Sequence, residues 1–236
     1  MTAIHSMRRE NVKRRAESKP ETAHVKIFEV LRRKILSSNL MPGVQLTEAD
    51  IAKQFSVSTT PVREALQMLI QHGLADRRAK RGVAVHQVTP QEVDDVYAMR
   101  AIIEPAALLE SAPSLTAGDY ESINGLLAEA KEAIARFENE KLSEINSAIH
   151  TSLYKKARND ILLSWLEQLR DKHKLISLYG WRAGTPRMQE WQEHDSIVTD
   201  CKNGQFDAAA ARLRDHILTF KRNVAAADSP SRHSAD

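Results

Sequence analysis

Apolar residues in the first third of the chain recur three and four positions apart, which is the spacing of amphipathic helices. The first stripe runs from about His24 to Ser38 and places Val25, Phe28, Leu31 and Ile35 on one helix face. The pattern predicts an opening helix with one face in a small hydrophobic core.

Two more short helices and a hairpin are predicted within the next fifty positions. The second helix starts at Thr47 and the third at about Ser58, with Pro61 in the first turn, where a missing amide hydrogen costs little. Short strands are predicted at 74–78 and 83–86, around a polar turn. Three helices followed by a hairpin are the element order of a winged helix-turn-helix.

Beyond Thr89 the pattern is helical, with no convincing strand signal. Apolar residues recur at helical spacing throughout, as at Ile102, Ala106 and Leu109. Short links between such segments predict an antiparallel bundle. The chain is therefore predicted to be mainly α, an N-terminal winged helix-turn-helix followed by an all-α antiparallel helical bundle. The predicted bundle helices are near 91–111, 117–138, 141–157, 160–179, 186–203 and 206–227.

These elements divide the chain into two domains and two tails. The first 20 residues are polar and basic without periodicity, and the last eight are rich in serine and charge, so both are predicted to be flexible. The predicted ranges are 1–20 for a flexible basic tail, 21–88 for the winged helix-turn-helix, 89–228 for the helical domain and 229–236 for a disordered tail.

Charge is distributed unevenly between the two halves. Residues 1–90 hold sixteen Lys and Arg against eight Asp and Glu, whereas residues 91–236 hold eighteen against twenty-three. This asymmetry indicates that the front half meets a polyanion. No apolar run is long enough for a membrane span, and no secretory signal is expected. The single cysteine, Cys201, excludes a disulfide framework and favours the reducing cytoplasm.

The second helix of a helix-turn-helix inserts its N-terminal part into the major groove of DNA. Here that part carries hydroxyl groups and Arg63, which can bind a guanine through two hydrogen bonds. Basic residues at the hairpin tip suit phosphate or minor-groove contacts. The alternatives are a protein-interaction role for the fold and solvated surface positions for the single residues. The predicted DNA contacts are Ser58, Thr59, Thr60, Arg63, Lys80 and Arg81.

Residues 42–74 contain the motifs PG-x-x-L, VS-x-TPVREAL and L-x-x-x-GL. With them, residues 24–88 resemble the DNA-binding domain of the GntR family of bacterial transcription regulators. Two positions depart from the family pattern, because Thr59 stands where arginine is usual and Ala49 where some members have arginine. Since both arginines can contact DNA, the resemblance does not carry over the usual operator sequence.

Histidines in the helical half are candidates for metal ligation. Asn146 and His150 are four positions apart and share a helix face, while His194 and His216 lie in separate predicted helices. Imidazoles from separate helices that point into one bundle core can bind a divalent metal. The alternative is that these are ordinary surface or core histidines. That second interpretation is applied to His5, His24, His72, His86, His173 and His233.

The motifs MRAIIEPAA, N-SAIH, QEHDSI and RLRDHI make the helical half similar to the FCD ligand-binding domain of the FadR-type branch. The resemblance implies a metal held by Asn146, His150, His194 and His216, with zinc or nickel favoured by histidine-rich ligation. It also implies a small carboxylate effector paired with Arg100. Asn146 replaces the usual aspartate, so affinity for the cation should fall and attraction for an anion should rise.

For Arg100, the alternative is a surface ion pair with Glu104 one turn further on.

The function predicted from these features is a transcription regulator, taken as a repressor, and not an enzyme. The resemblance implies a bacterial cytoplasmic homodimer that binds a pseudo-palindromic double-stranded operator. One alternative is a metal-dependent hydrolase with Glu193 as base. However, Glu193 is expected to point away from the metal, because adjacent helical positions diverge by about 100°. The other alternative is a sensor of the metal itself.

Overall fold

The computed structural model describes residues 22–79 and 82–227, and these are mainly helical, as predicted. The predicted tails at 1–20 and 229–236 lie outside the described residues, and so do Lys80 and Arg81 at the hairpin tip. The elements of the N-terminal domain are α1 (Ala23–Leu36), β1 (Gln45–Leu46), α2 (Glu48–Phe55), α3 (Thr59–Gln71), β2 (Ala75–Arg78) and β3 (Gly82–Val85).

The three strands form one antiparallel sheet in the order β1-β3-β2. β1 has no counterpart among the predicted elements, because two residues are too few to show an alternating pattern. Ser56 turns the chain between α2 and α3 with a left-handed backbone. The buried side of α3 packs in the same core as α1 and consists of Val62, Ala65, Leu66 and Leu69.

The C-terminal domain consists of long helices that pack around a second core. Thr89 is the N-cap of α4, and its hydroxyl accepts a hydrogen bond from the Glu92 amide at 3.2 Å. A capping box between Thr116 and Asp119 starts α5. The helices are α4 (Pro90–Ser111), α5 (Ala117–Ala135), α6 (Asn139–Tyr154), α7 (Asp160–Ala183), α8 (Arg187–Lys202) and α9 (Phe206–Ala227).

α4 is apolar on two faces. Its core face includes Val93, Tyr97 and Leu108. The repeat formed by Ile102 and Leu109 lies on the exposed side instead, and 70% of Ile102 is accessible to solvent. Helical spacing alone therefore predicts the helix correctly without showing which of its apolar stripes enters the core.

α7 connects the two domains through an electrostatic contact. Asp171, which is buried, accepts hydrogen bonds from Nε and Nη2 of Arg32 on α1 at 2.8 and 2.5 Å. Nδ1 of His72, at the end of α3, lies 2.9 Å from the same carboxylate. Lys172 passes over Gly73, where an added Cβ would come within 2.4 Å of the lysine Cε. Leu175 of α7 adds an apolar contact between the domains, because it packs into the core of the N-terminal domain.

A second charged group at this boundary centres on His86. Its Nδ1 lies 2.9 Å from Asp76, its Nε2 bonds Glu92, and Lys172 donates to Glu92 at 2.9 Å. The bond to Glu92 raises the pKa of His86 against the effect of burial. Burial alone would raise the pKa of Glu92, but the bonds from His86 and Lys172 lower that pKa to about 2. Both shifts favour the charged forms of His86 and Glu92.

We expect His86 to stabilise the fold in a pH-dependent way. Because its folded-state pKa is raised, its stabilisation is complete below the unfolded pKa of about 6.5 and disappears as the pH rises through the folded pKa. Urea unfolding of wild type and His86→Gln at pH 5.5 and pH 9 should show a difference in unfolding free energy that is larger at pH 5.5, by on the order of 1 kcal/mol. Equal differences at both pH values would contradict this account.

Candidate metal centre and nucleic-acid interface

The start of α3 forms an exposed polar surface. Ser58, Thr59 and Thr60 are all exposed, and Ser58, although it is the N-cap residue, makes no side-chain cap hydrogen bond. The first turn of α3 contains no acidic residue. Free backbone N–H groups together with hydroxyl groups at a helix start are well suited to a phosphate. The start of α3 therefore offers exposed groups that could bind a DNA phosphate.

Arg63 lies one turn further along α3, and its Nε donates to Glu48 Oε2 at 2.7 Å. Both side chains are exposed, and a surface ion pair contributes under about 1 kcal/mol, so DNA can displace Glu48 at little cost. Arg77 on β2 and Gln67 on α3, which the sequence did not single out, line an open pocket together with Arg63. Arg77 donates a hydrogen bond to Gln67 at 3.1 Å. The signal for Arg77 was the basic pair Arg77-Arg78 in the predicted hairpin.

Three of the histidines singled out from the sequence meet in the core of the C-terminal domain. His150 on α6, His194 on α8 and His216 on α9 are all buried. Their candidate ligand atoms lie within 4.8 Å of one another, and Nε2 of His150 is 3.0 Å from Nε2 of His194. Three helices that are distant in sequence therefore present imidazoles to one point, which we call the histidine cluster.

Carboxylates hold the outer ring nitrogens of two members of the cluster. Glu104 Oε2 lies 2.7 Å from His150 Nδ1, and Glu193 Oε2 lies 2.7 Å from His216 Nδ1. The expectation that Glu193 points away from the cluster is wrong, because α9 brings His216 alongside α8, within reach of the long glutamate side chain. Histidines that ligate metals commonly donate their other nitrogen to a carboxylate, which fixes the ring orientation and tautomer.

Burial keeps two of the three histidines of the cluster in the form that binds metals. It lowers the pKa of His150 to about 4 and lowers the pKa of His194 well below its usual value. Both rings are therefore neutral at pH 7, and each retains a nitrogen lone pair. Neutral imidazoles are the ligand form, so neither His150 nor His194 would have to release a proton to bind a metal.

The spacing of the ring nitrogens fits a divalent transition metal. With metal–nitrogen distances of about 2.0–2.1 Å, two ligand nitrogens are separated by about 2.9 Å at a right angle and by about 3.3 Å at a tetrahedral angle. The 3.0 Å between Nε2 of His150 and Nε2 of His194 falls within that range. This pair of nitrogens therefore fits zinc or a similar ion, and the candidate ligand atom of His216 lies within 4.8 Å of both.

Asn146 lies one turn before His150 on α6 and is buried. Its Nδ2 is 3.3 Å from Nε2 of His173, an orientation assigned from the hydrogen-bond pattern. Burial lowers the pKa of His173 well below its usual value, so this ring is neutral and can accept the bond. The bond leaves Oδ1 of Asn146 as the available ligand atom. His173, interpreted from sequence as an ordinary histidine, is a satisfied core residue that also orients Asn146.

Arg100 is fully buried and pairs with Glu104, with 2.5 Å from Nε to Oε1. The ion pair predicted as an alternative is present, but it is in the core and not on the surface. The guanidinium carbon of Arg100 also lies 4.8 Å from the centre of the Tyr97 ring. Burial alone would raise the pKa of Glu104, but Arg100 and His150 lower that pKa to about 2. Glu104 therefore neutralises Arg100 while it orients His150.

An exposed recognition helix and a small sheet, joined to a helical bundle, define the molecule as a DNA-binding transcription regulator of two-domain type. Residues 24–85 match the bacterial regulatory proteins of the gntR family, and residues 95–219 match the FCD domain. The FCD match alone spans more than half of the chain. The chain therefore belongs to the GntR family of regulators, in the group that carries a C-terminal FCD domain.

Individual relatives agree with this assignment. The chain is 26% identical over 200 residues to the HTH-type transcriptional repressor RspR of Escherichia coli (strain K12), covering 84% of this chain and 87% of RspR. It is 24% identical over 199 residues to the HTH-type transcriptional regulator YdhC of Bacillus subtilis (strain 168), covering 84% and 89%. Both alignments extend over the two domains.

Solved structures show the same fold. A GntR transcriptional regulator from Rhodococcus sp. RHA1 superposes with a TM-score of 0.78 at 21% identity, covering 87% of this chain and 99% of that one. Escherichia coli McbR/YncC gives 0.72 at 21% identity, covering 87% and 97%. Within residues 22–79 and 82–227, no helix combines the length and apolarity that crossing a membrane requires.

Proposed function

We propose that this regulator is a repressor whose operator binding is controlled by a small carboxylate, held together with a divalent metal in the C-terminal domain. The observation that carries the proposal is the histidine cluster of His150, His194 and His216, buried and backed by Glu104 and Glu193. The name of the relative RspR, a transcriptional repressor, supports the sign of regulation. Since the relatives are regulators, we propose no enzymatic activity.

Zinc or nickel is the proposed metal, because histidine-rich ligation suits these ions. The histidine cluster and Oδ1 of Asn146 would hold it, and the ion would supply positive charge for an anionic ligand. Since Asn146 and the imidazoles are neutral, no direct ligand offsets that charge. An aspartate in place of Asn146 would offset part of it, so the amide favours binding of an anion at the expense of metal affinity.

A homodimer is proposed on the exposed face shared by α4 and α7. These helices pack against each other through Ala107 and Leu166. Ile102 on α4 and Trp165 on α7 are 70% and 51% exposed, an exposure that is unusual for large apolar side chains. A two-fold dimer would cover them and present two recognition helices to a pseudo-palindromic operator.

Charge on this face should therefore separate the protomers. We expect wild type to sediment as a dimer and Ile102→Glu to sediment as a monomer at micromolar concentration, because the dimer would bury an unpaired carboxylate. Phe137→Glu is the matched control, since Phe137 is also exposed but lies at the end of α5, away from this face. A dimer that survives Ile102→Glu would contradict the assignment of this face.

Operator binding tests the DNA-binding half of the proposal. Fluorescence anisotropy at moderate salt should show that the protein prefers its own upstream region to random DNA. Arg63→Ala should weaken that specific binding by about 10- to 100-fold, because one bidentate base contact is lost. Arg136→Ala, which removes an exposed arginine of the other domain, should leave it unchanged. Equal affinity of wild type for both DNAs would overturn the proposal.

The same assay separates an acid-responsive regulator from a sensor of the metal itself. If zinc alone changes operator affinity to the full extent, the metal is the signal. If zinc-loaded protein changes affinity only after a carboxylic acid is added, the acid is the signal, as proposed here.

A further inference from the structure

A small cavity adjoins the histidine cluster and provides a second place for a ligand group. It touches the proposed metal ligands through Asn146 and His194 and continues towards the N-terminal end of α8. Its volume of about 10 Å³ corresponds to about one water molecule. The polar and aromatic residues that line it are Asn146, Trp181, Arg187, Glu190, Trp191 and His194.

Arg187 is the cation of this cavity that lacks a counter-charge. Its Nη2 donates to the backbone oxygen of Trp181 at 2.9 Å, but its Nε is buried without a hydrogen-bond partner. Among the described residues no carboxylate forms an ion pair with it. Arg100, in contrast, already has a carboxylate partner in Glu104. Leaving a buried donor unpaired is costly, so the site favours an acceptor that binds Nε.

Glu190 is the one acidic residue that lines the cavity, and it must be considered because it could repel an anion. Its carboxylate already accepts a hydrogen bond from Nε1 of Trp181 at 2.7 Å, and burial raises its pKa. Burial outweighs the opposing effect of the Trp181 bond, so the neutral acid is favoured and the repulsion is reduced. Arg187 and Trp191 are only partly buried, so they can move outward and enlarge the cavity for a ligand larger than water.

We propose that Arg187 anchors the effector and that the effector is a small dicarboxylate. This inference rests on the proposed function. One carboxylate would face the histidine cluster and the other would pair with Arg187 through the fork of its guanidinium. A monocarboxylate can satisfy only one of these two positions. The dicarboxylate is therefore selected over an acid of the same length with one charge fewer.

Calorimetry on zinc-loaded full-length protein tests this selection with matched acids. The pairs are succinate and butyrate, glutarate and pentanoate, and adipate and hexanoate. In wild type, at least one dicarboxylate should bind about tenfold or more tightly than its partner. Arg187→Ala should remove that preference while its zinc content stays at the wild-type level, and Arg187→Lys should retain part of it. Arg136→Ala is the control for loss of an arginine elsewhere.

The outcomes separate this inference from the proposed function. If zinc binds but wild type shows no dicarboxylate preference, or if Arg187→Ala keeps the preference, the role of Arg187 is overturned and the metal site stands. If wild type binds no zinc, the proposed function fails and this inference fails with it.

Discussion

Replacing His194 with alanine is expected to abolish the response of the protein to zinc. The side chain of His194 is buried, and its hydrogen bonds are to Nε2 of His150 and to the backbone of Glu190. The substitution therefore removes a proposed ligand without leaving a charged partner unpaired. Loss of a residue that only supports a ligand commonly costs 10- to 100-fold in metal affinity, so loss of a ligand should cost at least about 100-fold. The apoprotein should remain folded.

Zinc-dependent stabilisation measures this loss. A ligand at 100 times its dissociation constant stabilises the folded state by about 2.7 kcal/mol, which urea unfolding of wild type should show. The same zinc concentration should add almost nothing to His194→Ala. His24→Ala is the matched control, because His24 is a surface histidine paired with Glu64. An unchanged zinc effect in His194→Ala would show that the metal, if bound, is held elsewhere.

The reverse substitution provides a gain of function at the same site. Asn146→Asp adds a negative charge at the position next to His150 and should raise zinc affinity by about tenfold or more. It should also weaken the binding of a carboxylic acid, because less positive charge remains. A fall in zinc affinity would indicate that Asn146 is not a ligand.

The sequence can predict the residues of this site that are recognisable within their own helix, but not those whose role depends on contacts between helices. His150, His194 and His216 could be proposed because each lies on a helix with a periodic apolar face and because the motifs around them resemble a known domain. The supporting carboxylates Glu104 and Glu193 could not, because their role depends on which helices become neighbours. The helical-wheel argument for Glu193 considered α8 alone and therefore missed α9.

The same limit applies to the fold. Helix periodicity predicted the helices of both domains, but it could not distinguish the core stripe of α4 from the exposed stripe with Ile102. A repeat shows that a helix carries an apolar stripe and does not identify what packs against it. β1, with two residues, is defined only by its pairing with β3. The contact between Asp171 and Arg32 joins residues 139 positions apart, beyond the reach of any local pattern.

If a ligand binds in the C-terminal domain as proposed, that contact offers a route along α7 to the DNA-binding domain. His173 on α7 bonds Asn146 and stacks edge-on with His150, with ring centres 5.3 Å apart. Two positions earlier on the same helix, Asp171 bonds Arg32 and His72 of the DNA-binding domain. Because a helix is stiff over a single turn, a shift of His173 at the proposed metal site would be expected to move Asp171 as well.

Asp171→Ala is therefore expected to uncouple the domains. Asp171 is 3% exposed, and removing one partner of a buried ion pair costs about 3–5 kcal/mol. We expect the contact between the domains to lose this stabilisation. Operator affinity should remain, since the exposed residues of α3 are untouched.

The ratio of operator dissociation constants with and without zinc and acid should fall towards one, as measured by anisotropy. Asp207→Ala, at an exposed position in the first turn of α9, should keep the wild-type ratio. If Asp171→Ala responds as wild type does, the signal does not pass through this contact, and the domains must communicate through the dimer.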